Sequence, residues 1–180
     1  MDRVKKKAAK IRLVVFDVDG VLTDGRLILG DDGSEFKAFH VHDGLGLVML
    51  RESGFHVAVI SARSSNIVAE RMAALGIECV YQGENNKQAA LNTLMKKFNI
   101  SKHQTAFVGD DLIDLPAMSL AGLAIAVANA QPRVLAHADW VTSKPGGQGA
   151  AREVCELLLD AQGLLETSYL RYLGSQTTSV

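Results

Sequence analysis

The chain has 180 residues, 48% of them hydrophobic, and a formal net charge of -1 from 19 basic and 20 acidic side chains. That length and apolar share suit one domain with a sizeable core, and the balanced charge excludes a generally basic nucleic-acid or membrane surface as the basis of function. No apolar run approaches transmembrane length, and Cys79 and Cys155 lie in apolar surroundings outside any CxxC or Cys/His spacing. Free thiols in a reducing, cytoplasmic compartment are expected, with neither zinc nor a disulfide.

The first ten residues, MDRVKKKAAK, read as a basic arm over about residues 1–9, solvated rather than packed. Apolar runs bounded by turn residues follow and predict strands at 11–16, 55–60, 77–81, 105–108, 123–127 and 139–142. Between them, helical periodicity predicts helices at 43–53, 65–75, 86–98, 112–121, 132–136 and 149–160. Gly54 and Gly76 fall where two of these should stop, and Pro116 falls early in another. The alternation predicts an α/β fold: a Rossmann-like three-layer sandwich around a central parallel sheet, in a single domain. One segment departs from it. Residues 26–41, RLILGDDGSEFKAFHV, form two extended arms around a Gly-containing turn and predict a β-hairpin inserted after the first strand. The tail from about 164 to 180 has no core pattern and is expected to be mobile or in contact with another chain.

Chemistry-bearing residues gather where the strands end. FDVDGVLTDG, residues 16–25, places Asp17, Asp19 and Asp24 after the first strand, and VISAR places Ser61 and Arg63 after the second. Lys87 opens the helix after the third, and FVGDDLID places Asp110 and Asp111 after the fourth. Singly, each piece is an ordinary turn, cap or solvated lysine. With right-handed crossovers and the first strand between the second and fourth, all of them face one crevice at the carboxyl edge of the sheet. Oxygen ligands on short loops suit Mg²⁺, and a metal, a lysine and a hydroxyl together neutralise a phosphate during in-line attack by a carboxylate. Asp17 is the candidate nucleophile, forming an aspartyl-phosphate, and Asp19 the candidate acid and base. His40 and His42 form an HxH pair, but the carboxylates offer the better Mg²⁺ site. Gly146, Gly147 and Gly149 read either as a phosphate nest or as a flexible loop.

In this order DVDGVLTD, Ser61 of VISAR, Lys87 and GDDLID resemble the four motifs of the haloacid dehalogenase-like superfamily of Mg²⁺-dependent phosphatases, over nearly the whole chain. The resemblance implies Mg²⁺ held by the Asp17 carboxylate, the Asp19 backbone carbonyl and Asp110, with Ser61 and Lys87 on the phosphate. An acid at Asp19 is the mark of phosphatases and phosphomutases in that superfamily.

The stretches FHVHDGLG, YQGENNK and KPGGQGAAREVCELLL, with the hairpin, are similar to a capless group within it that acts on sugar-acid phosphates. In that group a homotetramer closes the site, with hairpins packing together and a neighbour's C-terminal segment reaching in. By the same resemblance Asp19, His40, Val41, His42, Asp43, Gly44, Ser61, Arg63, Arg71 and Lys87 line the sugar-phosphate pocket. Arg63 and Arg71 suit a ligand with a phosphate and a carboxylate, although Arg71, beside Glu70 on a helix, also reads as a surface ion-pair residue. His42 stands where arginine is common, keeping a donor without permanent charge, and Ala62 stands where glycine is common. Three alternatives stay open: a nine-carbon in place of an eight-carbon keto-acid phosphate, a signalling receiver domain, and a non-catalytic binding module. Lys87 ahead of the GDD stretch argues against the receiver, which has its lysine last.

Overall fold

Leu13–Phe16 are wholly buried and form β1, the strand on which the other elements are assembled. The structure, a computed structural model, describes residues 2–173. Ahead of β1 runs α1 (Asp2–Ala8), and after it come β2 (Ile28–Leu29), β3 (Glu35–Phe36), α2 (Val41–Glu52), β4 (His56–Ile60) and α3 (Asn66–Ala74). The order continues with β5 (Cys79–Tyr81), α4 (Lys87–Phe98), β6 (Thr105–Gly109), α5 (Leu115–Leu120) and β7 (Leu123–Ala126). It ends with α6 (Pro132–His137), β8 (Trp140–Val141), α7 (Ala150–Ala161) and α8 (Leu165–Leu170).

Six strands make one parallel sheet in the order β5-β4-β1-β6-β7-β8, with β1 registered between β4 (Phe16 opposite Val59) and β6 (Phe16 opposite Val108). Helices α1, α2 and α7 pack together over one face, and α4, α5 and α6 over the other. Buried on both sides, β1, β6 and β7 carry no alternating polar residues. The chain reverses direction across the sheet between β5 and β6, so the carboxyl ends of β4, β1 and β6 open onto one crevice. This is the haloacid dehalogenase-like α/β fold. Between β1 and β4 stand only a small antiparallel hairpin, β2 with β3, and α2; no cap domain is present among the described residues. Nor, among them, is any helix long and apolar enough to cross a membrane.

Several expectations need correction. The basic N-terminus is a packed helix rather than a solvated arm. Val4 and Ala8, four apart, give α1 a buried stripe, Lys7 pairs with Asp139 (2.6 Å), and Gln162 donates to the carbonyls of Ala8 (3.3 Å) and Ile11 (2.7 Å). The tail is likewise not free from 164 onward. Ser168 of α8 is buried with its hydroxyl 3.0 Å from that of Ser53, Tyr169 donates to Glu156 (2.9 Å), and Arg171 to the Glu52 carbonyl (3.1 Å). Residues 174–180 of that tail lie outside the described residues. Strand pairing in the hairpin spans only four residues, and α2 starts at Val41 rather than 43 because His40 Nδ1 accepts from the His42 N–H (3.3 Å). The helix expected at 112–121 breaks into a 3-10 turn, Leu112–Asp114, and α5, with Pro116 in the first turn of α5.

The glycines before α7 are neither a nest nor a free loop. Gly146 and Gly147 lie against the backbone that follows β1: a Cβ on Gly146 would stand 1.7 Å from the Gly20 carbonyl oxygen, and one on Gly147 would stand 2.4 Å from the Thr23 carbonyl carbon. The Gly147 N–H donates to the Val21 carbonyl (2.9 Å). Asp43 holds the next turn. Its buried carboxylate accepts from the N–H groups of Gly149 (3.2 Å) and Arg152 (2.8 Å), capping α7 from α2 where Gly149 has no side chain to do so. Asp43→Ala is therefore expected to lower stability to urea by about 1–2 kcal/mol, with Asp43→Asn escaping most of that loss because its amide oxygen still accepts.

Candidate active site

The site is assembled from strand ends. Asp17 extends β1 by donating its N–H to the Val108 carbonyl (3.0 Å), which seats its side chain between the β4 and β6 loops. Ser61 extends β4 in the same way toward Tyr81 (2.8 Å), and its Oγ accepts from the Arg63 N–H (3.2 Å). Lys87 is the first residue of α4, whose start is fixed by the Asn86 side chain accepting from the Ala89 N–H (3.0 Å). From there its side chain, 1% exposed, reaches Asp17 Oδ1 (2.8 Å) and Asp114 Oδ1 (2.7 Å).

Asp114 was not singled out by the sequence reading, yet it organises the β6 end. It is fully buried, and while Oδ1 holds Lys87, Oδ2 accepts from the N–H groups of Asp110 (3.0 Å) and Asp111 (3.2 Å). The signal available was the third acid of GDDLID, at a position where a carboxylate ordinarily starts a helix. Asp111 itself is exposed and caps the 3-10 turn through the Leu112 N–H (2.7 Å).

Asp110 behaves differently from Asp114. Its Oδ1 is buried and without a hydrogen-bond partner, and its carboxylate sits against Gly20, where a Cβ would come within 2.0 Å of Oδ2. Burial first, then the charges of Asp17, Asp114 and Asp111, push the Asp110 carboxyl up to about 7. Burial and the Asp114 charge raise Asp17 to about 7 as well, against the opposing pull of Lys87. Oxygens of Asp17, Asp110 and Asp114 lie within 4.8 Å of one another. Three carboxylates against one ammonium leave excess negative charge out of water, and with Asp114 fully engaged the free oxygens belong to Asp17 and Asp110. An orphaned oxygen and an all-oxygen donor set fit a hard divalent cation.

Asp19 stands at the mouth. Its carboxylate pairs with Lys37 of the hairpin and lies 3.9 Å from Arg63 Nε. Glu35 receives both Lys37 (3.3 Å) and Arg63 (3.0 Å). Lys37 is a second residue absent from the sequence reading, since a lone lysine in a hairpin gives no signal. Asp17, Asp19, Ser61, Arg63, Lys87 and Asp110 line one open cleft of about 270 Å³, with Leu27 and Ile113 as apolar walls. Asp24 is exposed, accepts from the Arg26 N–H (3.0 Å) in a turn and lies 3.6 Å from Arg26 Nε.

A single chain does not bring the His40–Gly44 segment or Arg71 to that cleft. His40, Asp43, Gly44 and Arg71 surround a separate gap of about 10 Å³, and the Arg71 guanidinium rests so closely on Gly44 that a Cβ there would lie 2.3 Å from Nη2. Val41 and His42 are exposed, the latter beside Lys144 and Arg152. His40 and His42 stack edge to face at 4.9 Å and belong to no cluster of three or more metal-ligating side chains among the described residues.

Residues 75–154, which carry Lys87, Asp110 and Asp114, match the family described as haloacid dehalogenase-like hydrolase. Fold and site thus agree on the class, a capless hydrolase of that superfamily, whose chemistry is that of a phosphoric monoester hydrolase. Over 163 residues the chain is 49% identical to the 3-deoxy-D-manno-octulosonate 8-phosphate phosphatase of Escherichia coli (strain B / BL21-DE3), an alignment covering 91% of this chain and 87% of the relative. The crystal structure of the Yersinia pestis phosphatase of that name superposes with a TM-score of 0.91 at 45% identity, covering 92% of this chain and 89% of the other. That of the Moraxella catarrhalis phosphatase, in complex with magnesium ion, phosphate ion and KDO, gives 0.93 at 44% identity, covering 96% and 99%. The chain belongs to the family of 3-deoxy-D-manno-octulosonate 8-phosphate (Kdo 8-phosphate) phosphatases.

The raised carboxyls make a pH-dependent signature. Both lie above their ordinary 3.8, so without a bound cation their contribution to stability is complete below that value and is lost as pH rises through about 7. A cation between them favours the ionised forms. The increase in Tm on adding Mg²⁺ is therefore expected to be larger at about pH 8 than at about pH 5, and scanning calorimetry at the two values checks it.

Proposed function

We propose that this chain hydrolyses Kdo 8-phosphate to Kdo and inorganic phosphate through an aspartyl-phosphate on Asp17. The observation that carries the reading is the buried Asp17 carboxylate, fixed by Lys87 beside the unpartnered Asp110 oxygen, in a chain of this phosphatase family. Mg²⁺, held by the carboxylates of Asp17 and Asp110 and the backbone carbonyl of Asp19, supplies neutralisation of the phosphate oxygens when bound. Lys87 and Ser61 bind and orient the phosphate from the other side.

An Asp17 oxygen attacks phosphorus as the bond to the sugar O8 breaks, and Asp19 gives that oxygen its proton. Water then attacks the phosphoryl group, Asp19 takes its proton, and phosphate leaves with the Asp17 carboxylate restored. Arg63, at the mouth of the cleft, faces the sugar acid. Kdo made in this way feeds lipopolysaccharide synthesis, and the buried, unpaired Cys79 and Cys155 suit a cytoplasmic enzyme.

The substrate pocket is completed by assembly. The hairpin exposes Leu27, Ile28, Leu29 and Phe36, an apolar surface that suits packing of hairpins in a homotetramer. The His40–Gly44 segment and Arg71, placed away from their own chain's cleft, then serve in the pocket of a neighbour, and a neighbour's C-terminal segment helps to exclude water.

Phosphate release measured with Mg²⁺ and with chelator tests the reading. Kdo 8-phosphate is expected to be preferred over a nine-carbon sialic-acid-type phosphate and over hexose phosphates, and chelator to stop turnover; preference for another phosphate would move the substrate while leaving the chemistry. Asp17→Asn is expected to reduce turnover to background with fold and assembly unchanged by circular dichroism and light scattering, and retained activity would exclude Asp17 as the nucleophile.

A further inference from the structure

The side chain of Lys37 is 1% exposed although it belongs to a hairpin arm whose neighbours Phe36 and Ala38 are exposed. A desolvated ammonium is costly unless paired, and this one is paired twice, with Asp19 Oδ1 and with Glu35 Oε1 (3.3 Å). The same Glu35 oxygen accepts from Arg63 Nη2 (3.0 Å), while Arg63 Nε lies 3.9 Å from Asp19 Oδ2. Two cations and two anions thus close a ring of alternating sign. It joins three separate pieces of chain: the loop after β1, the hairpin and the loop after β4. Among the described residues, the hydrogen bonds that tie residues 27–38 to the rest of the chain are those of this ring.

The ammonium's hydrogen bond goes to Asp19 and Glu35 is its longer contact, so the carboxylate it fixes most directly is the one at the mouth of the cleft. Proton transfer requires the donor within about 2.6–3.2 Å of its target, and a carboxylate at the mouth of an open cleft has several rotamers that miss. An ammonium fixed by burial removes them.

We propose that Lys37 is a positioning residue for Asp19, holding the acid/base carboxylate in place and making that placement depend on the hairpin through Glu35 and Arg63. This rests on the acid/base role of Asp19 given above.

Steady-state kinetics of the full chain with saturating Mg²⁺ and Kdo 8-phosphate test it. Lys37→Met is expected to lower kcat about 10²-fold with KM within about threefold of the parent, and Lys37→Arg to recover about tenfold of that loss. Placed in an Asp19→Asn background, Lys37→Met is expected to cause no further loss. A folded Lys37→Met enzyme with kcat within about threefold of the parent, or one whose loss is undiminished when Asp19 is already Asn, overturns the proposal. If Lys37→Met does not fold, Glu35→Gln decides. It leaves Lys37 and its hydrogen bond to Asp19 in place and weakens the contacts of Glu35 with Lys37 and Arg63, so kcat is expected to fall about tenfold at constant KM, and an unchanged kcat refutes the coupling. Asp19→Asn alone separates the two levels. Activity retained there removes the acid/base role and this proposal with it, whereas activity lost there but kept in Lys37→Met removes only the positioning role.

Discussion

The Lys87 ammonium, buried between Asp17 and Asp114, is the interaction on which the remaining site geometry depends. Without it, three carboxylates would share a space of under 5 Å with no internal counter-charge, an arrangement that desolvation and mutual repulsion oppose. Its placement is a product of topology. Lys87 sits at the head of the helix that carries the chain from β5 across to β6, the one crossover that passes over β1. Asp114 then divides its two oxygens between the ammonium and the backbone of Asp110 and Asp111, so the electrostatic pair and the shape of the β6 loop are set by one side chain. Asp110 is left as the carboxylate with an oxygen to offer. A site that has one acid committed to structure and two poised for ligands is polarised toward a cation before any ligand arrives.

The sheet and most of this site were legible in the sequence, because buried parallel strands are continuous apolar runs and the loops after them are short. Asp17, Ser61 and Asp110 at the strand ends, and Lys87 at a helix start, could be placed together from crossover handedness and an assumed strand order with the first strand between the second and fourth. What could not be read was anything that depends on where a polar side chain turns. Asp114 carried the same signal as Asp111, yet one is fully buried and the other caps a turn in water. Lys37 looked like one more exposed charge. At the two ends of the chain the difficulty was length: Val4 with Ala8, and Leu165 with Tyr169, make stripes too short to stand out from a polar background. Gly146 and Gly147 were ambiguous for another reason, since a glycine needed for close backbone contact and one left in a flexible loop are the same letter.

The His40–Gly44 segment shows how a resemblance can be right about a family while the single chain holds a segment away from its own cleft. Within one chain it caps α2, caps α7 through Asp43, and leaves His42 facing outward beside Lys144. Those structural duties fix the first turn of α2 in place.

The backbone contact between Gly146 and Gly20 has a consequence for how this protein can be altered. The segment that bears the attacking carboxylate and the segment that leads into α7 are more than a hundred residues apart, but they share one surface with no side chain between them. They form a single composite part made of two distant strips. A graft that exchanged one strip with that of another phosphatase would import a steric conflict unless the second strip travelled with it, so in this scaffold the smallest exchangeable unit of the catalytic loop is discontinuous.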